Sequence, residues 1–206
     1  MKKADDSKFR KPVTRHLNED GSTRLFFDGA NDWADYYMRG AICWPALGSN
    51  GFIIMAGQEI RSKEITVFYE RDFLTIQNIL NEDHTIAFRG IDEFFNNAWS
   101  RFFARKYFWH QPWELYRSFK LQITRAKNTI NPQPVLVEVT WPDENDIIGL
   151  IWKWDQQKKL WVDKNGPITQ AIDLASESDR QIPPAIHALQ TLLAGIEKHP
   201  WRPGRS

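Results

Sequence analysis

Residues Phe94 to Phe119 read FFNNAWSRFFARKYFWHQPWELYRSF, and aromatic rings crowd this stretch as nowhere else in the chain. Arg101, Arg105, Lys106 and Arg117 sit among the rings, and Glu114 is the only acid. The stretch lies inside the longest helical pattern of the sequence, Ile91 to Lys127, which Pro112 divides. Proline lacks an N–H and its ring clashes one turn back, so the pattern predicts a long central helix broken or kinked near His110. Beyond the break, Leu115, Phe119, Ile123 and Ala126 recur at helical spacing. Arg117, Lys120, Thr124 and Lys127 lie opposite them and form a basic outer face.

At about 100° per residue, Phe95, Trp99, Phe102, Phe103 and Trp109 fall on one arc, which reads as core. Phe94, Arg101, Arg105 and Phe108 fall on a second arc, where rings and guanidinium groups alternate. With Arg117 and Lys120, that arc is the candidate binding surface. Aromatic and arginine side chains dominate contacts between proteins, so a protein partner or a second copy of the chain fits it best. Single-stranded nucleic acid is the further candidate, because the same groups stack bases and hold phosphates. The plain alternative has Phe94 and Phe108 covering the helix edge while the arginines snorkel to water.

Strand patterns flank this centre. Thr23 to Phe27 reads as a short strand. Ala41–Trp44, Phe52–Ile60 and Ile65–Glu70 read as an antiparallel meander. Asn31 to Met38 reads as a short helix capped by Asp28 or Asn31, and Asp72 to Leu80 as another capped by Asp72. Thr85 to Phe88 returns as a strand. Asn131, Pro132 and Pro134 stop the central helix. Val135–Trp141, Ile147–Trp154 and Leu160–Val162 then read as a second meander. Ile168 to Leu174 fits a strand or a short helix equally. Pro183–Pro184 opens a last helix with Ile186, Leu189, Leu193 and Ile196 on one face.

The fold class that follows is α+β, with two antiparallel β-meanders packed around a long, proline-interrupted central helix, plus a C-terminal helix. A single domain over residues 23–199 is expected, with a flexible charged N-terminal arm over 1–22 and a C-terminal tail over 200–206. The expected core includes Phe95, Trp99, Phe102, Phe119, Ile123, Leu136, Leu150, Trp152, Leu189 and Leu193.

Charge and cysteine content bound the function. The 27 Lys and Arg nearly balance the 26 Asp and Glu, so net charge gives no reason to expect a polyanionic partner. Cys43 is the only cysteine, which rules out an internal disulfide and a cysteine-based zinc site. No apolar run approaches the ~20 residues of a membrane helix, and the N-terminus lacks the apolar segment of a signal peptide. A cytoplasmic protein with no membrane contact is the expectation.

Two acidic sets are candidates for catalysis. Asp28, Asp32 and Asp35 cluster early, and Glu138, Asp143, Glu144 and Asp146 cluster later with Lys153 following. Such carboxylates can hold a divalent cation for hydrolysis. Capping and turn formation explain both sets more simply, and no Asp-x-Lys or Glu-x-Lys follows Pro142–Asp143 at a suitable distance. HExxH, GxSxG, SxxK and glycine-rich phosphate loops are all absent. No metal, cofactor or catalytic residue is assigned. The reading is a non-catalytic intracellular binding or assembly module acting through the aromatic and arginine-rich helix surface. A metal-dependent hydrolase or nuclease is its competitor.

Overall fold

A computed structural model describes residues 12–27, 32–43, 50–73, 75–80, 86–88, 91–110, 120, 123–124, 127–128, 131–140, 149–157, 159–176 and 182–201. In chain order the first strands are β1 (Thr14–Leu17), β2 (Thr23–Phe26), β3 (Trp33–Cys43), β4 (Gly51–Glu59), β5 (Ile65–Phe73), β6 (Thr75–Leu80) and β7 (Ile86–Phe88). Helix α1 (Ile91–Phe102) and strands β8 (Lys106–His110) and β9 (Val135–Glu138) follow. The remainder is α2 (Gly149–Gln156), β10 (Leu160–Trp161), α3 (Pro167–Ser176) and α4 (Pro184–Lys198). The protein is thus mixed α and β.

Strands β3, β4 and β5 pair antiparallel in that order. They are the centre of an eight-stranded sheet. One edge of β3 is shared: Trp33–Tyr36 pair with β2, and Arg39–Cys43 pair in parallel with β8. Strand β9 lies parallel outside β8, and β10 lies parallel outside β5. The second expected meander therefore does not form; its two outer segments join opposite sides of one sheet. Its middle segment is helix α2, where Ile151 is buried and Trp152 is 51% exposed. Strand alternation predicts Trp152 as core, but helical spacing turns it to solvent.

The sheet is covered on both faces. Phe94, Phe95, Ala98 and Phe102 of α1 pack on one face against Tyr36, Met38, Ile42, Ile53, Met55, Tyr107 and Trp109. Helix α4 packs on the other face over Ala41, Cys43, Phe52, Ile54 and Phe108, with α2 and α3 beside it. Each buried ring removes ~150–250 Å² from water, so these aromatics dominate both cores.

The central helix is shorter than its pattern. It ends at Phe103, whose φ of 52° is left-handed, with the Phe103 N–H on the Trp99 carbonyl at 2.9 Å. The next segment is a strand, not a continued helix to Pro112. Tyr107 and Trp109 face α1 while Phe108 faces α4. A strand buried on both faces is a continuous apolar run, which periodicity alone does not separate from a buried helix. Two other expected helices are also replaced by strands. Residues 31–38 fall largely in β3, and residues 72–80 span the end of β5 and β6. Residues 120, 123, 124 and 127 are helical as expected, with Ile123 buried and Lys120 exposed.

Of the expected core, Phe95, Phe102, Ile123, Leu189 and Leu193 are buried. Leu136 and Leu150 are partly buried, Trp99 is half-buried, and Phe119 lies outside the described residues. Within the expected N-terminal arm, β1 pairs with β2. Among the described residues no helix is long and apolar enough to cross a membrane.

Candidate functional site

The sequence-derived surface is not assembled as one face. Phe94 is 3% exposed and packs under α1, whereas Phe108 is 0% exposed and packs under α4 on the opposite side of the sheet. Arg101 and Arg105 are exposed at and just after the end of α1, Lys120 is exposed, and Arg117 lies outside the described residues. Arg101 borders a concave site.

That site is a cleft of about 670 Å³ along the outer edge of β5. Strand β10 pairs only with Ile65 and Thr66, so among the described residues the β5 edge is unpaired beyond that point. A bulge follows. Ala56 opposes Val67 and Met55 opposes Tyr69, which leaves Phe68 extra. The inserted residue puts Phe68 and Tyr69 together against the α1 core and turns Glu70 toward α3.

Arg15 and Arg101 line it near the end of α1, and Glu70, Asp163 and Asn165 line it beside the start of α3, with Phe68, Tyr69 and Phe102 also in the lining. Arg15 lies over the Phe103 ring at 4.8 Å. The lining beside α3 is fixed by its own bonds. The Asp163 carboxylate accepts the Asn165 N–H at 2.9 Å, and the Asp163 carbonyl accepts the Gly166 N–H at 3.1 Å and the Thr169 hydroxyl at 2.6 Å.

Glu70 caps α3 from a distant strand. Gly166 precedes that helix and has no side chain to offer, and Glu70 accepts the Ile168 N–H at 2.8 Å. A Cβ at Gly166 would fall 1.9 Å from a Glu70 oxygen, so the absence of a side chain makes room for the cap. Burial pushes the Glu70 carboxyl up to about 7, the Ile168 N–H opposes the rise, and the charge of Asp163 adds to it. The folded state therefore holds a proton that the unfolded chain releases near 4.5. Its stabilising effect is complete below pH 4.5 and is lost as pH rises through about 7. Glu70→Gln keeps an acceptor for Ile168 and removes the titration. Urea melts at pH 5 and pH 8 should show the wild type losing about 1–2 kcal/mol more than the variant, a figure reduced for solvent screening. Equal slopes for the two proteins would refute this account.

The described members of the acidic sets do not converge on such a site. Asp35 is committed to Arg24 at 2.8 and 3.0 Å and to Asn18 at 2.9 Å, and the Arg24 bonds hold its carboxyl below the usual range. Glu138 is exposed on β9, while Asp28, Asp143, Glu144 and Asp146 lie outside the described residues. Among the described residues no three His, Cys, Asp or Glu side chains converge as metal ligands would.

Glu70, Asp163 and Arg15 were not legible as a group because they come from three distant segments. One sequence signal did exist: Gly166–Pro167 opens a helix with no capping oxygen at hand, which calls for an acceptor from elsewhere. Comparison with known proteins gives no family whose model matches the chain and no curated protein that matches it.

Proposed function

We propose that this protein is a binding module whose cleft holds an extended segment of a protein partner. The observation that carries the reading is the cleft itself, an unpaired strand edge beside three rings with opposite charges in its lining. An extended segment supplies main-chain groups to such an edge and side chains to the rings. Arg15 and Arg101 suit an acidic side chain, and Glu70 and Asp163 suit a basic one. A polyanion meets repulsion from the carboxylates, which favours a protein segment over nucleic acid.

The test places a photo-crosslinking residue at Asn165, identifies the segment captured, and titrates that segment as a synthetic peptide. Arg101→Glu should weaken binding at least about tenfold without lowering the melting temperature, because Arg101 is exposed and makes no ion pair among the described residues. Light scattering distinguishes a second copy from a foreign partner. A peptide that binds wild type and variant equally, or crosslinks that never form, would reject the reading.

A further inference from the structure

We propose a second, separate binding site at the C-terminal end of α4, where Arg39, Lys106, Lys198 and His199 gather to hold a phosphate monoester. Arg39 and Lys106 are register partners on β3 and β8, on the face that α4 covers. His199 stacks on Phe108 with centroids 6.0 Å apart, and the Lys106 ammonium lies 5.8 Å from the same ring. The Arg39 guanidinium lies 6.0 Å from the Tyr37 ring, which stacks on Trp201 at 3.8 Å. Four cationic or protonatable groups and an aromatic pair thus enclose one corner of the sheet.

Among the described residues, no carboxylate is paired with Arg39, Lys106, Lys198 or His199. Burial lowers the Lys106 ammonium, and the charge of Arg39 lowers it further. Burial also lowers His199, with Lys106 and Lys198 acting in the same direction. Burial brings even the Arg39 guanidinium down to about 10. Its guanidinium donates to the Met38 carbonyl at 2.9 Å, so among the described residues most of its donors are free. Asp20 is the carboxylate at the margin, and it accepts from the Tyr37 hydroxyl at 3.3 Å and from Ser22 at 2.6 Å.

A helix C-terminus attracts cations, which is the competing account. Lys198 does serve its end of the fold, donating to the Thr140 carbonyl and to its hydroxyl at 3.1 Å. That account covers the last residues of α4, however, whereas Arg39 and Lys106 come from β3 and β8, and the charge of Arg39 acts against that of Lys106. Half-buried cations that repel one another cost stability until an anion arrives. A phosphate monoester supplies a dianion with several acceptor oxygens, and its organic part lies toward Tyr37 and Trp201.

The experiment compares the full-length wild type with Lys106→Met, Arg39→Gln and, as a control, Arg105→Ala. Melting temperatures are recorded in chloride buffer, then with inorganic phosphate and with phenyl phosphate, and ³¹P line widths are followed in titration. Wild type and Arg105→Ala should be stabilised by phosphate and should broaden its line saturably. Lys106→Met should melt above wild type without phosphate and bind it at least about tenfold more weakly. Arg39→Gln should lose the phosphate response as well, which keeps the test intact if one variant folds poorly. A stronger response to phenyl phosphate assigns an aromatic ester; an equal response assigns the phosphate group alone. The proposal is overturned if wild type ignores both anions, or if Lys106→Met responds as wild type does. It is also overturned if Lys106→Met melts below wild type in chloride, the result of a purely structural role.

Discussion

Phe108→Ala is expected to lower the free energy of unfolding by about 3–5 kcal/mol, the range for emptying a buried aromatic site. The ring is fully buried between the sheet and α4, and it is matched to Gly195 one layer above. A Cβ at Gly195 would lie 2.2–2.5 Å from three atoms of the ring. Helix propensity alone favours Ala over Gly by about 1 kcal/mol. The clash opposes that gain and outweighs it, because overpacking a closed core costs about 1–3 kcal/mol and the Phe108 ring is confined from the sheet side. Gly195→Ala should therefore destabilise the wild type. In a Phe108→Ala background the same change should become neutral or stabilising, since the ring that blocks it is gone. Urea melts of the four proteins measure this directly. A coupling energy near zero would mean that the helix can lift off the ring at no cost. Near-wild-type stability of Phe108→Ala would return the ring to the surface role that its helical spacing suggested.

What the sequence made legible follows from where periodicity is unambiguous. Phe52–Ile60 and Ile65–Glu70 read as strands from their apolar and β-branched composition and the polar turn between them, and α4 shows its apolar spacing between Pro184 and Lys198. Residues 106–110 and 33–38 misled for a shared reason. In both, consecutive rings are buried on opposite sides of the sheet, Tyr107–Trp109 in one and Tyr36–Tyr37 in the other, so the apolar pattern there sets no period. Trp152 misled in the other direction, since its strand-like neighbours are helical. The cleft was hidden for a different reason. Its edge exists because β10 departs after Trp161 and β5 bulges at Phe68, and neither event leaves a local signature. Of the residues singled out on the helix surface, Arg101 lies in the lining of that cleft.

Gly40→Ala should destabilise the protein even though glycine inside a strand is itself costly. Gly40 and Tyr107 face each other as register partners of β3 and β8. A Cβ at Gly40 would meet two atoms of the Tyr107 ring at 2.3 and 2.7 Å and Met55 at 3.2 Å. The ring has nowhere to go. Phe95 meets it edge to face at 4.7 Å, Phe94 does so at 5.6 Å, and its hydroxyl donates to the Ala104 carbonyl at 2.9 Å. Removing glycine's entropy cost returns about 0.5–1 kcal/mol, and the clash costs about 1–3 kcal/mol, so the net sign is unfavourable. Tyr107→Ala should cost more, about 3–5 kcal/mol for the lost ring, because it also orphans the Ala104 acceptor beneath α1. The same ring ties α1 to the sheet, and Arg101 and Phe102 of the cleft sit at the end of that helix. A Tyr107→Leu variant accordingly separates the two roles. It should accept Gly40→Ala with little further loss of stability while weakening any ligand that depends on the position of Arg101. If Gly40→Ala costs the same with leucine at 107 as with tyrosine, the ring is not what excludes a side chain there, and the close approach of β3 and β8 must have another cause.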